Sequence, residues 1–97
     1  MRETRTVDPE AVAIAALGHV AADPVLLPRF LALTGIEAGQ IREAAREPGF
    51  LAGVLDFVLA HAPTLMEFSE ASGIAPDTVS AARRVLGAAT DRYEAST

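Results

Sequence analysis

Two stretches of this 97-residue chain decide its fold class: 30–46, FLALTGIEAGQIREAAR, and 68–84, FSEASGIAPDTVSAARR. They lie 38 residues apart, and the same offset aligns 11–46 with 49–84 at nine identical positions without a gap. In each stretch an apolar segment ends at a Gly-Ile pair, and a second apolar segment follows. A glycine in that position suits the left-handed conformation that ends a helix. The pattern predicts two related three-helix halves that share one core.

Prolines mark where the helices begin, because a residue without an N–H is tolerated in the first helical turn. Asp8-Pro9 and Asp23-Pro24 combine such a proline with an N-cap carboxylate. We predict six helices at about 9–22, 24–34, 37–46, 48–61, 63–72 and 76–90. The fold is therefore predicted to be a compact all-α bundle of five or six helices. It forms a single domain over 1–97, folded over about 8–90, with flexible ends at 1–7 and 93–97.

The composition excludes several classes of protein. Half of the residues are apolar (51%), no cysteine is present, and the net charge is −5. Intrinsic disorder, a disulfide scaffold, a cysteine nucleophile and a zinc finger are thereby excluded. The longest internal run without formal charge is Ala11–Ala22, whereas a membrane span needs about 18–20 apolar residues. The segment before Ala11 is net acidic, unlike the start of a signal peptide, so we expect a cytoplasmic protein without a membrane partner.

Helix 4 is apolar on most sides, and its remaining strip consists of small residues and one acid. The strip contains Gly49, Ala52, Gly53, Asp56 and Ala60. Helix 1 carries small residues at the same offset: Ala11, Ala15, Gly18 and Ala22. Small residues at this spacing allow another backbone to approach closely. The favoured interpretation is that helices 1 and 4 pack against each other through these strips, so that Gly53→Leu overpacks the contact. The alternative is a surface for self-association or for a partner.

No residue pattern supports catalysis. Asp56 has no acid, histidine or serine three or four residues away, and we expect it to face solvent or to cap a neighbouring helix. His19 and His61 lie on different helices without metal-ligand spacing, and His61 is expected to bond the last carbonyls of helix 4. We therefore predict no catalytic, cofactor-binding or metal-binding residue, no small-molecule substrate, and no enzyme.

The segment 68–84 also resembles a helix-turn-helix, with Gly73 in the turn and Val79 six residues beyond it. Base readout needs Arg, Lys, Asn or Gln near the start of the second helix. That position holds Asp77, and the acidic start disfavours nucleic acid. Arg83 and Arg84 come later, and they either bind an acidic partner or form a solvated helix face.

Longer strings carry a family resemblance. FLALTGI at 30–36, EPGFLAGVLDFVLAH at 47–61 and GIAPDTVSAARRVLG at 73–87 resemble the short bacterial proteins grouped as the domain-of-unknown-function family numbered 3572. The resemblance covers about 8–87 of the chain. It implies a small, stand-alone, soluble, helical bacterial protein, and it carries over no catalytic, metal-binding or nucleic-acid-binding residue.

The sequence thus favours a cytoplasmic, non-enzymatic protein–protein interaction module that binds a protein partner or forms a homodimer. Its candidate interaction surface comprises Gly49, Gly53, Asp56, Arg83 and Arg84. The alternative is a helix-turn-helix DNA-binding regulator that uses 68–84.

Overall fold

The structure, a computed structural model, describes residues 8–95, with side chains described for 8–87. It contains α1 (Pro9–Ala22), α2 (Leu26–Thr34), a 3-10 turn (Ala38–Gln40), α3 (Ile41–Ala44), α4 (Pro48–Leu59), α5 (Ala62–Ser72) and α6 (Pro76–Ala95). No strand occurs in residues 8–95, and the predicted all-α bundle is confirmed. The expectations for 1–7 and 96–97 lie outside the described residues.

Several predicted helix limits are wrong by a few residues. α2 begins at Leu26, two residues later than predicted, and Asp23 caps the turn before it: the N–H groups of Val25 and Leu26 donate to its Oδ1 at 2.7 and 3.1 Å. α4 ends at Leu59 rather than 61. α6 continues beyond the predicted 90 to Ala95. The predicted helix 37–46 is divided into the 3-10 turn and the four-residue α3.

The core is formed where α1, α4 and α6 pack against one another. α1 and α4 supply most of the buried apolar side chains. α2 and α5 close the ends of the core with Phe30 and Phe68. The buried core residues are Val12, Ala13, Ala16, Leu17, Val20, Leu26, Phe30, Leu51, Ala52, Val54, Leu55, Val58, Phe68, Val79, Ala82 and Leu86. Each buried Leu, Val or Phe contributes about 1.5–3 kcal/mol by leaving water, so this cluster drives folding.

The chain turns sharply at two corresponding places. The axes of α1 and α2 differ by 115°, and those of α4 and α5 by 107°. No single helix among the described residues is long and apolar enough to cross a membrane; the two bent pairs pass the same test by length and composition only.

The helices α2 and α5 end in the same way. Each ends at a glycine in the left-handed region, Gly35 with φ 79° and Gly73 with φ 78°. The N–H groups of these glycines donate to the carbonyls four residues earlier, at 2.8 and 2.9 Å. Phe30 and Phe68 occupy equivalent positions one turn before the end, and each is 1% exposed. The predicted C-terminal glycines are therefore present at both sites.

A hydroxyl group reinforces each of these two turns. Thr34 Oγ1 donates to the carbonyl of the preceding turn at 3.0 Å and accepts from the Ile36 N–H at 3.5 Å. Ser72 Oγ makes the same pair of bonds, at 2.7 Å to the carbonyl and 3.1 Å from the Ile74 N–H. The two turns are thus alike in detail, while the duplication of the whole unit stays a prediction from the sequence.

The left-handed turn predicts a position-specific cost for adding a side chain. Gly73→Ala is expected to lower the free energy of unfolding by about 1–2 kcal/mol, because a Cβ is strained at positive φ. Gly39→Ala is the matched control, since Gly39 lies in the 3-10 turn, has no positive φ, and an added Cβ meets no atom within 4 Å. Urea denaturation measures both, and an equal effect of the two substitutions would contradict the assignment.

The cap on α2 predicts a pH dependence. The N–H groups of Val25 and then Leu26 hold the pKa of Asp23 below its ordinary value, with a smaller contribution from His19. A lowered folded-state pKa contributes stability that is present above the unfolded-state value of about 3.9 and is lost as the pH falls through the folded-state value. Asp23→Asn, which keeps a capping oxygen, is expected to flatten the loss of stability on acidification. Melting temperatures of both proteins across acidic pH check this.

Candidate functional site

The candidate site begins with one ion pair that joins α4 to α6. Asp56 accepts two hydrogen bonds from Arg83, from Nε to Oδ1 at 2.6 Å and from Nη2 to Oδ2 at 3.0 Å. The side chains are 57% and 33% exposed, so the pair lies at the surface. Two parallel bonds between a guanidinium and a carboxylate fix both orientation and distance. Asp56 therefore faces solvent, as expected, but it is paired there rather than capping a helix, and Arg83 has its acidic partner within this chain.

Gly87 makes room for this pair. It lies one helical turn after Arg83, and a Cβ built at Gly87 would collide with Nη1 of the Arg83 guanidinium. Because Gly87 has no side chain, the Arg83 guanidinium can lie across α6 and reach Asp56 on α4. The sequence analysis missed this residue; its signal was an Arg and a Gly four residues apart on one helix face.

α1 and α4 do pack against each other, as the favoured interpretation has it, but not through the small-residue strips. On α1 the residues Ala11, Ala15, Gly18 and Ala22 are all exposed. On α4 Gly49 and Ala60 are exposed, Gly53 is half-buried, and Ala52 is the one buried member. The helices pack through their larger apolar faces instead, because burying Val and Leu removes more apolar surface from water than burying Ala and Gly.

The expected overpacking by Gly53→Leu is overturned for the same reason. A Cβ built at Gly53 meets no atom within 4 Å, and the same holds for Gly49. The strip on α4 is thus a surface feature, and Gly53 faces open space rather than α1.

Gly53 lies in an apolar groove between α2 and α4, which we call the α2–α4 groove. Its volume is about 260 Å³, and its lining residues are Phe30, Leu33, Thr34, Gly53, Asp56, Phe57 and Ala60. Phe30 forms the base, packed edge-to-face on Phe57 with ring centres 5.3 Å apart. Leu33 stands at the rim with 72% of its surface exposed. The groove therefore combines a glycine-lined recess with a projecting apolar side chain.

The structure brings together three of the five predicted surface residues. Gly53 and Asp56 line the α2–α4 groove, and Arg83 reaches its edge through the ion pair. Gly49 lies one turn earlier on α4, exposed and outside the lining. Arg84 is exposed on α6 and does not line the groove either.

The segment 68–84 forms a helix, a left-handed turn at Gly73 and a second helix, as its pattern predicts. The second helix, α6, packs along both α1 and α4 and contributes Val79, Ala82 and Leu86 to the core. Its first turn presents the exposed carboxylate of Asp77. A helix that packs along two others and starts with an acid is poorly suited to enter a DNA groove.

Both histidines make structural contacts. His61 is the N-cap of α5, and its Nδ1 lies 2.7 Å from the hydroxyl of the buried Thr64; the expected bond to the last carbonyls of α4 is replaced by this contact. His19 packs edge-to-face on Phe68, with ring centres 5.6 Å apart. Among the side chains described for 8–87, no three His, Asp or Glu residues are grouped as a metal site requires.

The structure thus defines the class of protein: a small all-α bundle with a surface groove and an ion pair between two helices. The family model described as "Protein of unknown function (DUF3572)" matches residues 6–89, so the chain belongs to that family. The resemblance inferred from the sequence is confirmed. No curated protein and no solved structure matches the chain.

The ion pair predicts a modest, measurable coupling. In a double-mutant cycle of Asp56→Asn and Arg83→Gln, we expect a coupling energy of about 0.5–1 kcal/mol, because the pair is bidentate but partly exposed. Urea denaturation at low salt measures it, and added salt should reduce it. A coupling of zero would show that the pair is not populated in solution.

Gly87→Ala tests the role assigned to the glycine. The added methyl group is expected to displace the guanidinium and to abolish the coupling between Asp56 and Arg83. Because alanine is the better helix former by about 1 kcal/mol, the overall stability should change little or rise. Repeating the cycle in the Gly87→Ala background separates the two effects, and an unchanged coupling would contradict the role.

Proposed function

We propose that this protein is a non-enzymatic protein-interaction module and that its partner is a second copy of the same chain. The observation that carries the proposal is the α2–α4 groove, which places the exposed Leu33 beside the open recess at Gly53. Leu33 adjoins the apolar lining of the groove, and contiguous apolar patches are characteristic of interaction surfaces. A cytoplasmic location is part of the proposal, in line with the cysteine-free composition.

A second copy suits this face because it carries both a projection and a recess. In an interface around a twofold axis the same patch is used by both subunits, so it must be complementary to itself. Leu33 of each copy can then seat over the Gly53 recess of the other. The Asp56–Arg83 pair supplies a polar edge with both signs of charge, which avoids like-charge contact across the axis.

The proposal predicts a concentration-dependent mass. Sedimentation equilibrium from low to high micromolar concentration is expected to show a transition from the 10.1 kDa monomer to a species of twice that mass. Leu33→Asp should weaken the association at least about tenfold, since it places a charge at the centre of the interface. Met66→Asp is the matched control, because Met66 is also exposed (52%) but lies on α5, outside the groove. A 10.1 kDa mass at every concentration would overturn the proposal.

Gly53→Leu separates the interface from the fold. Since a Cβ added at Gly53 meets no atom within 4 Å and the groove is open to solvent, the variant is expected to be as stable as the natural sequence or up to about 1 kcal/mol more stable. By filling the recess it should nevertheless weaken self-association. Thermal unfolding and sedimentation of one preparation test both statements. A strongly destabilised variant would show that Gly53 belongs to the core.

The second candidate function is a helix-turn-helix DNA-binding regulator using 68–84, and the left-handed turn at Gly73 is the observation in its favour. The exposed Asp77 and the net charge of −5 weigh against it, because both repel phosphates. We expect no gel shift with random duplex DNA even at about 50 mM salt, where non-specific binding is strong. A shift that Arg84→Ala weakens would favour this second function instead.

A further inference from the structure

The segment 36–47, which contains the 3-10 turn and α3, is attached to the molecule differently from every other described element. We call it the strap. It contains no buried residue. Among the helical elements in the described chain, α3 and its 3-10 turn are the two that have no buried residue. Ile41 and Ala45 are the strap side chains that pack against the core, and both are only half-buried. The strap is thus held by little apolar area.

The corresponding positions in α6 show what the strap lacks. At the 38-residue offset, Ile41 corresponds to Val79 and Ala44 to Ala82. Val79 is 0% exposed and Ala82 is 4% exposed, whereas both strap residues remain half-buried. α6 runs for twenty residues and packs on two helices, while α3 has four residues and packs mainly on its own 3-10 turn. The same sequence pattern therefore produces a core helix in one half and a surface element in the other.

Most hydrogen bonds of the strap are local. Gln40 accepts from the Glu37 N–H at 2.9 Å and its own N–H donates back to the Glu37 carbonyl at 2.8 Å. The Ala45 N–H donates to the Ile41 carbonyl at 2.9 Å. These bonds join strap residues to one another. Bonds to neighbouring elements lie at the two ends of the strap, from the Ile36 N–H to Thr34 Oγ1 at 3.5 Å and from the Leu51 N–H to the Glu47 carbonyl at 3.1 Å. The left-handed Gly35 stands directly before the strap.

The strap lies over a groove at the corner between α1 and α2. The groove has a volume of about 490 Å³ and is lined by Ala21, Leu27, Ala38, Gly39, Ile41 and Arg42. Leu27 belongs to α2 and Ala21 to the last turn of α1, so the strap residues form the opposite wall. Ala21 is exposed and Leu27 is half-buried, so moving the strap away increases the exposed apolar surface at Leu27.

We propose that the strap is a conformational device that opens as a unit while α1, α4 and α6 stay folded. Segments with few buried apolar contacts and exposed backbone hydrogen bonds open at lower free energy than the whole molecule unfolds. Opening uncovers the α1–α2 corner, a surface separate from the α2–α4 groove. The inference is independent of the proposed self-association.

Amide hydrogen exchange of the full chain, followed by NMR, tests the strap directly. The Ala45 amide, bonded to Ile41, is compared with the Val58 amide inside α4, each relative to its intrinsic rate. We expect protection at Ala45 to be lower by roughly 100-fold or more and insensitive to low urea, as local opening requires. Equal protection and equal urea dependence at the two amides would show that the strap opens only with global unfolding.

A pair of substitutions at equivalent positions gives a second test. Ile41→Ser is expected to speed exchange at Ala45 by about tenfold or more while leaving Val58 unchanged, because it removes the strap's main anchor. Val79→Ser is the matched control at the buried counterpart, and it should speed exchange throughout the chain. If Ile41→Ser accelerates Ala45 and Val58 equally, the strap belongs to the cooperative core and the proposal is wrong; this outcome is measurable even if Val79→Ser does not fold.

Discussion

The mutual packing of α1, α4 and α6 is the constraint on which the rest of the molecule depends. α4 brings Leu51, Val54, Leu55 and Val58 into this contact with at most 2% of each side chain exposed. Burying that face leaves Gly49, and the one charge of α4, toward solvent and leaves Gly53 only half-buried. Asp56 therefore lies at the edge where α6 passes, and a bidentate pair with Arg83 becomes geometrically possible. A helix whose large residues were distributed differently would have no such edge.

The α2–α4 groove is a second consequence of the same packing. Because the chain bends by 115° between α1 and α2, Phe30 lies under α4 and Leu33 lies at the rim of the groove. Small residues on the outer strip of α4 leave the recess beside Leu33 unfilled. The bend, the buried phenylalanine and the strip are all needed, so the groove is a property of the tertiary arrangement rather than of any one helix.

Local signals predicted most of the fold. Proline at helix starts and glycine at helix ends act within one turn, so the all-α class and the turns at Gly35 and Gly73 follow from the sequence. The buried face of α4 does not follow, because a helix that is apolar on most sides has no periodicity to rank its faces. This ambiguity is the reason why the sequence analysis predicted, wrongly, that α1 and α4 pack through their small-residue strips.

The site was less accessible to the same reasoning. Asp56 and Arg83 were both singled out, but a pair 27 residues apart depends on how two helices cross, which no spacing rule encodes. The contribution of Gly87 depends in turn on that pair. The length of α3 was overestimated because the apolar pattern of 37–46 matches that of α6. Only the tertiary structure shows that α6 is covered by other helices and α3 is not.

The contact between α6 and α1 has a consequence for synthesis of the chain. The first described helix and the last one must meet to complete the core, so the stabilising contacts join residues far apart in sequence. While the chain is still being made, α1 and α4 have no partner for the faces that α6 later covers. The nascent chain therefore cannot complete this bundle until α6 has left the ribosome, and before that moment it offers the apolar surface on which chaperones act.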